Sequence, residues 1–170
     1  EIGVRLVGSE MCIRDSNKTD FDFSELVESV VKKFDFDNSG YNFRRDVKKG
    51  LWVNADRHKI EQVLFNFISN AVKYCGKDKE IIIVVKEAGG SARFDVFDHG
   101  NGISKQEQKY IWDRFSRASQ KYKRGDSTGL GLSIVRSILK SHDAVFGVNS
   151  AVGKGSDFYF ELPLVEPPQN

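Results

Sequence analysis

Hydrophobic and polar residues follow two periods along this chain, one typical of helices and one typical of strands. A helical stripe follows Asp22 and Glu25, which have capping-box spacing, and its apolar positions are Leu26, Val27, Val30, Val31 and Phe34. A longer helix is predicted after Asp56 as N-cap, with a stop at Gly76 and a core face of Ile60, Val63, Leu64, Phe67, Ile68, Ala71, Val72 and Cys75. Two more helices are predicted over residues 104–115 and 129–141, the second with Leu132, Ile134, Val135, Ile138 and Leu139 as its apolar face.

Strand-like segments alternate with these helices and are separated by glycine-containing turns. We predict strands at residues 41–47, 51–54, 80–86, 93–98, 145–149 and 156–162. Turns are expected at residues 35–40 and 48–50, and hairpins at residues 89–90 and 151–155. Strands paired in hairpins with helices between them predict an α/β two-layer sandwich, with the sheet on one side and the helices on the other.

Composition narrows the class of protein. The chain has 170 residues, 39% hydrophobic and 29% charged, which is ordinary for a soluble globular domain with one core. No apolar run is long enough to cross a bilayer. A net charge of +2 gives no reason to expect a nucleic-acid partner. Two cysteines and three separated histidines have no zinc-ligand spacing.

The first 16 residues differ in character from the rest. Positions 6–16 read LVGSEMCIRDS, which resembles one translated frame of a transposon-library sequencing adapter. We therefore expect residues 1–16 to be adapter-derived or disordered, residues 17–165 to form the domain, and residues 166–170 to be a tail.

Asn66, Asn70 and Lys73 share one face of the long predicted helix. Asparagine is a poor helix former, so two in mid-helix are locally costly. A carboxamide oxygen is a neutral ligand that suits Mg²⁺. Alone, this face is better explained as an ordinary solvated polar surface that happens to contain asparagine.

Asp98 falls on the apolar face of its predicted strand, together with Phe94 and Val96. A carboxylate there needs a hydrogen-bond donor, which could be a ligand N–H such as the exocyclic amine of adenine, or the backbone of the next turn. Gly100 and Gly102 would let the backbone approach a ligand closely.

A glycine-rich stretch, residues 125–135, leads directly into a predicted helix N-terminus, where free N–H groups attract phosphate. It lacks the Gly-Lys-Ser/Thr of a Walker loop and the dinucleotide fingerprint. A flexible loop with ordinary capping would look the same, and Gly153-Lys154-Gly155 alone reads as a hairpin turn.

Taken in order, these features resemble the nucleotide-binding boxes of the histidine kinase ATPase family, a branch of a wider group with gyrase, mismatch-repair and heat-shock chaperone ATPases. Residues 61–74 are similar to its N box and residues 98–103 to its first glycine box. The F box, second glycine box and last box resemble residues 111–115, 129–132 and 153–158. The similarity extends over residues 22–163, with Trp112, Asp126 and Asp143 as departures.

The resemblance implies a Bergerat ATP-binding fold, with a mixed, mainly antiparallel sheet covered on one face by helices, and ATP and Mg²⁺ as cofactors. Asn70 would bind Mg²⁺ with help from Asn66, Lys73 would meet a phosphate, and Asp98 would accept from adenine. A mobile lid over ATP would occupy residues 117–128. The full set of implied ATP-binding residues is Asn66, Asn70, Lys73, Tyr74, Asp98, Gly100, Gly102, Ile103, Phe115, Ser127, Thr128, Gly129, Leu130, Gly131 and Leu132, with Asn66, Asn70 and Lys73 as the catalytic ones.

The identity of residue 66 affects whether hydrolysis of ATP or phosphoryl transfer is expected. Related ATPases carry a glutamate here as general base, and an amide cannot take a proton, so slow hydrolysis is expected. The resemblance implies transfer to a histidine in a dimerisation domain of the same protein, with a response regulator further along the relay. His58, His99 and His142 do not fit the acceptor setting, so this chain alone should bind ATP without autophosphorylating.

The expected protein is a homodimer with this domain in the cytoplasm, either soluble or anchored in the cell membrane. Two alternatives stay open on sequence: a non-catalytic nucleotide-sensing or protein-interaction module of the same fold, and an anti-sigma-type serine kinase.

Overall fold

A computed structural model describes residues 17–113 and 131–169 of the chain. The strands are β1 (Lys18–Asp22), β2 (Asn42–Val47), β3 (Trp52–Asp56), β4 (Glu80–Ala88), β5 (Ser91–Asp98), β6 (Val145–Ser150) and β7 (Ser156–Pro163). The helices are α1 (Phe23–Asp37), α2 (Arg57–Tyr74), α3 (Lys105–Gln108) and α4 (Gly131–Ser141).

The strands form two sheets. Five strands lie in the order β2-β4-β5-β7-β6, and β1 pairs with β3 in a separate two-stranded sheet. Within the larger sheet β2 runs parallel to β4, whereas the other neighbours are antiparallel. This confirms the predicted α/β fold with a mixed, mainly antiparallel sheet.

The core lies between one face of this sheet and the helices. Period-2 alternation places Phe94 and Val96 of β5 and Phe160 of β7 on that inner face, all fully buried. Phe67 of α2 packs on them, with its ring centroid 6.5 Å from that of Phe94 and 6.0 Å from that of Phe160. Each buried phenylalanine contributes about 1.5–3 kcal/mol relative to an exposed one, so this aromatic cluster fixes α2 on the sheet.

Local capping starts both long helices where the sequence predicts. The Asp22 carboxylate accepts from the Glu25 N–H at 3.1 Å, and the Asp56 carboxylate accepts from the Lys59 N–H at 3.3 Å. Each bond satisfies one N–H that the first turn of the helix leaves unpaired.

The strand pairing near the N-terminus differs from the prediction. The turn at residues 48–50 does not join a hairpin, because β2 pairs with β4 and β3 pairs with β1. The polar pattern of β1 concealed it, since only Phe21 of its five residues is buried. The predicted turn at residues 35–40 was also placed early, because α1 continues to Asp37.

Two helix predictions need correction. The helix predicted over residues 104–115 is the short α3, Lys105–Gln108, because the following residues turn so that Ile111 enters the core and is only 4% exposed. In α4, Val135, Ile138 and Leu139 are buried as predicted, but Ile134 is 38% exposed.

Candidate functional site

The polar face of α2 lies beside the start of α4. Asn66 and Asn70 are half-buried there and Lys73 is exposed. The Asn66 side-chain amide donates to the Gln62 carbonyl at 3.0 Å. Its Oδ1 lies so close to Gly131 that a Cβ on Gly131 would be 3.2 Å from it. The fold therefore brings the N-terminus of α4 against Asn66, although the two segments are far apart in the chain.

Asp98 is the last residue of β5, lies close to the C-terminal end of α2, and is only 6% exposed. Its carboxylate accepts from the Gly100 N–H at 2.9 Å. Burial raises the pKa of Asp98 to about 6, while the hydrogen bonds from the backbone N–H groups of Gly100 and Ser156 oppose the shift. A carboxylate that accepts from two backbone N–H groups has lone pairs to spare, so Asp98 can also accept from a ligand N–H.

Three glycines let chain segments come into direct contact around Asp98. A Cβ on Gly100 would be 1.8 Å from the Tyr74 carbonyl oxygen, at the end of α2. One on Gly102, which has φ of +74°, would be 1.9 Å from the Ala151 oxygen, and one on Gly155 would be 2.0 Å from the Asp98 oxygen. Any side chain at these positions would force apart the end of α2, the end of β5 and the β6–β7 hairpin.

Sequence reasoning missed several residues that shape this region. Gly76 was interpreted only as a helix stop. Its missing side chain also leaves room for a neighbouring segment, since a Cβ there would be 2.3 Å from the His99 oxygen. His99 pairs with Asp78, and this hydrogen bond raises the pKa of His99 and lowers the pKa of Asp78. Ser150 and Gln108 bond to Ile103. The contacts of Gly76 and Ser150 are formed between distant segments, so only the spacing of glycines in the sequence hinted at close packing here.

Trp112, in the predicted F box, packs against the core. The Trp112 ring meets Phe146 and Phe158 edge to face, with centroids 5.2 Å and 5.9 Å away. Two of the predicted ATP-binding residues, Ile103 and Leu132, are half-buried. Predicted site residues outside the described ranges are Phe115, Ser127, Thr128, Gly129 and Leu130.

The oxygen donors of this region are suited to a divalent cation that is shared with phosphate groups. Residues 17–113 and 131–169 contain no cluster of three or more His, Cys, Asp or Glu that could hold a metal by itself. Asn66 and Asn70 offer neutral oxygens instead. Such a set fits Mg²⁺ that shares its coordination with phosphate oxygens and water, because Mg²⁺ keeps few protein ligands in phosphate sites.

Comparison with known proteins agrees with this arrangement. The family model for histidine kinase-, DNA gyrase B- and HSP90-like ATPases matches residues 55–166, and the chain belongs to this family. It is 32% identical over 164 residues to the sensor-like histidine kinase SenX3 of Mycobacterium tuberculosis, an alignment that covers 95% of this chain and 39% of SenX3. The chain thus spans less than half the length of that relative.

Solved structures are similar over most of the chain. The catalytic domain of histidine kinase ThkA has a TM-score of 0.73 and 29% identity, covering 86% of this chain and 95% of that one. Full-length ShkA in complex with AMPPNP has a TM-score of 0.75 and 25% identity, covering 90% and 32%. ThkA in complex with the response regulator protein TrrA matches with a TM-score of 0.71 and 26% identity, covering 95% and 47%.

Within the described part of the chain, none of the helices combines the length and hydropathy that a membrane crossing requires.

Proposed function

We propose that this chain is the Mg-ATP-binding catalytic domain of a sensor histidine kinase, which holds ATP for transfer of its γ-phosphoryl group to a histidine in another domain of the protein. The observation that carries the proposal is that Asp98, a buried acceptor among close-packed glycines, lies beside the C-terminal end of α2, and that Asn66 of the same helix meets the N-terminus of α4. These elements offer a base acceptor at one end and phosphate-binding groups at the other.

The adenine end of the site would be built on Asp98. Its carboxylate would accept from the exocyclic amine of adenine, because two backbone N–H donors do not use all the lone pairs of a carboxylate. Gly100 and Gly102 would shape the pocket wall, and Tyr74 and Ile103 would pack near the base.

The phosphate end would lie between α2 and α4. Asn70 and Asn66 would hold Mg²⁺ through their carboxamide oxygens, and Lys73 would meet a phosphate. A helix N-terminus favours an anion, and Gly131 and Leu132 lie at the start of α4. By the family resemblance, Phe115, Ser127, Thr128, Gly129 and Leu130 would complete this end.

The residues available favour phosphoryl transfer over rapid hydrolysis. When bound, Mg-ATP supplies the phosphoryl donor and neutralises charge on the phosphates. Catalysis of this transfer is mostly positioning and charge stabilisation, which Asn66, Asn70 and Lys73 can provide. Asn66 cannot act as a general base toward water. The acceptor domain, a homodimeric assembly and a response regulator, as in the ThkA–TrrA complex, complete the proposal.

Titration calorimetry with ATP and Mg²⁺ tests the site directly. We expect the wild-type chain to bind ATP, and Asn70→Ala to weaken Mg-dependent binding by roughly 10- to 100-fold because it removes a ligand oxygen. Asn54→Ala is the matched control, because Asn54 is an exposed asparagine that bonds Asp20 on β1, away from this site. Equal affinity of the Asn70→Ala variant and wild type would contradict the assigned role.

Phosphoryl transfer needs a separate experiment. With γ-labelled ATP, the chain alone should hydrolyse ATP slowly and incorporate no label. It should phosphorylate a purified dimerisation domain from a related kinase supplied in trans. Fast steady hydrolysis with no transfer would instead indicate an ATPase.

A further inference from the structure

We propose that Ser150 and Gln108 are positioning residues that hold residues 98–103, here called the glycine segment, in the shape that accepts a nucleotide. This inference rests on the proposed function, because it assigns these residues to the same pocket. The two residues form what we call the Ser150–Gln108 latch, which joins the glycine segment to the β6–β7 hairpin.

The Ser150 hydroxyl is the centre of the latch. It accepts from the Ile103 N–H at 2.8 Å and donates to the Gly155 carbonyl at 2.7 Å. It also lies 2.9 Å from the Ser156 hydroxyl. A serine hydroxyl has one proton and two lone pairs. Since its proton goes to the Gly155 carbonyl, Ser156 must be the donor in the last contact, and the hydroxyl of Ser150 is fully used.

Gln108 closes the latch from the other side. Its side-chain Nε2 donates to the Ile103 carbonyl and to the Ser150 carbonyl, both at 2.8 Å, which uses both amide protons. Ile103 is therefore bonded at its N–H by Ser150 and at its carbonyl by Gln108. Gln108 is itself held by α3, which starts with a capping box between Ser104 and Glu107.

The latch leads to the predicted adenine acceptor. Ser156, which donates to Ser150, also bonds the Asp98 carboxylate through its backbone N–H. A direct backbone bond of 2.7 Å from the Gly153 N–H to the Asn101 carbonyl runs alongside. The position of the Asp98 carboxylate is thus coupled to the Ser150 hydroxyl through one intermediate residue.

Removing the Ser150 hydroxyl leaves three groups without this partner: the Ile103 N–H, the Gly155 carbonyl and the Ser156 hydroxyl. The Asp98 carboxylate does not touch Ser150, so the effect on a nucleotide is indirect. We expect Ser150→Ala to weaken ATP affinity about tenfold, the scale of one or two lost net hydrogen bonds. Ser150→Thr keeps the hydroxyl and suits a strand, so it should restore most of the affinity.

The experiment measures ATP affinity and amide hydrogen exchange on the same variants. In the nucleotide-free protein, the Ile103 amide should exchange at least tenfold faster in Ser150→Ala than in wild type or Ser150→Thr, because its acceptor is gone. Ser29→Ala is the matched control, since it deletes a hydroxyl that bonds the Leu26 carbonyl in α1 at 2.8 Å. Its ATP affinity should equal that of wild type.

A second pair of variants covers the possibility that Ser150→Ala does not fold. Gln108→Ala should weaken ATP binding several-fold, whereas Gln106→Ala, at an exposed position of the same short helix, should not. Ser150→Ala or Gln108→Ala binding ATP as tightly as wild type would overturn the latch and leave the proposed function standing. A wild-type chain that binds no ATP would overturn the proposed function, and with it the role of the latch.

Discussion

Both faces of the five-stranded sheet bury carboxyl groups, but in different surroundings. On the inner face Asp98 continues the line of Phe94 and Val96 under the helices. On the outer face Asp157 of β7 is only 8% exposed. Burial raises the pKa of both groups, to about 6 for Asp98 and about 7 for Asp157.

Their surroundings differ more than their pKa values. Asp98 accepts hydrogen bonds from backbone N–H groups at the end of strand β5, among glycines. Asp157 adjoins Asp95, which is 2% exposed and accepts from Arg93 at 2.9–3.2 Å. After burial, the neighbouring Asp95 carboxylate is the next cause of the raised pKa of Asp157.

One oxygen of Asp157, Oδ1, is buried and has no hydrogen-bond partner within residues 17–113 and 131–169. A proton on the Asp157 carboxyl would remove this deficit, because the group could then donate to Asp95. At both Asp98 and Asp157, burial away from water is the main cause of the raised pKa. What separates a candidate binding group from a structural one is the arrangement of donors and space around it.

The largest contrast between the faces should be in stability. Phe160 points inward and is fully buried, while its neighbour Tyr159 points outward and stacks on the Arg93 guanidinium at 4.1 Å. We expect Phe160→Ala to lower the free energy of unfolding by about 3–5 kcal/mol, and Tyr159→Ala by about 1 kcal/mol. Urea denaturation measures both, and equal losses would mean that the outer face is as well packed as the inner one.

Nucleotide affinity should separate the two carboxyl groups next. Asp98→Asn replaces the charged acceptor and should weaken ATP binding by roughly 10- to 100-fold. Asp157→Asn, a chemically identical change, should alter ATP affinity less than about twofold, because the side chain of Asp157 lies on the outer face of the sheet and that of Asp98 on the inner face. Titration calorimetry at pH 7.5 compares them, and a large effect of Asp157→Asn would show that the two faces are coupled.

The pH dependence of stability should show both groups in the nucleotide-free protein. Each carboxyl has a higher pKa in the folded chain than the ordinary 3.8, so the folded state retains protons that the unfolded state releases. The free energy of unfolding should therefore fall as pH rises from about 4 to about 7, and then level off. Thermal melting across this range measures the slope.

The matched variants assign that slope. Asp157→Asn should flatten its upper part, up to about pH 7, and Asp98→Asn only the part below about pH 6. A slope that neither substitution changes would mean that other groups titrate.

The smallest expected effect has the opposite sign and comes from His142, at the C-terminal end of α4. Its Nε2 accepts from the Asp56 N–H at 3.0 Å and its Nδ1 donates to the Ile138 carbonyl at 2.8 Å. Burial lowers the pKa of His142 below 6.5, so its contribution to stability is present above pH 6.5 and is lost as the pH falls.

His142→Phe should remove this acid-side loss and cost about 1 kcal/mol at pH 7, where the bond from Asp56 is missing. Thermal melting of the Asp98→Asn, Asp157→Asn background at pH 5 and pH 7 isolates the effect. An unchanged acid-side loss in the His142→Phe variant would exclude His142 as its source.

Local interactions account for the features that could be predicted from the sequence. The N-caps Asp22 and Asp56 bond to residues three positions away, and the hairpin at Gly89 and Gly90 pairs neighbouring strands. The inward position of Asp98 follows from period-2 alternation. Pairing of β1 with β3 could not be predicted in this way, because it joins residues 30 to 38 positions apart and the polar pattern of β1 does not specify a partner.

The order of residues along the chain was thus sufficient for the fold class, the helix starts, the buried face of β5 and the set of candidate site residues. Only the tertiary structure decided that Asn66 meets Gly131, that three glycines adjoin carbonyl oxygens of other segments, and that Ser150 and Gln108 hold Ile103. The physical reason is the range of the interactions. Caps, hairpins and periodicity act over a few residues, whereas these contacts exist only after the core has packed α2 and the β6–β7 hairpin against the end of β5.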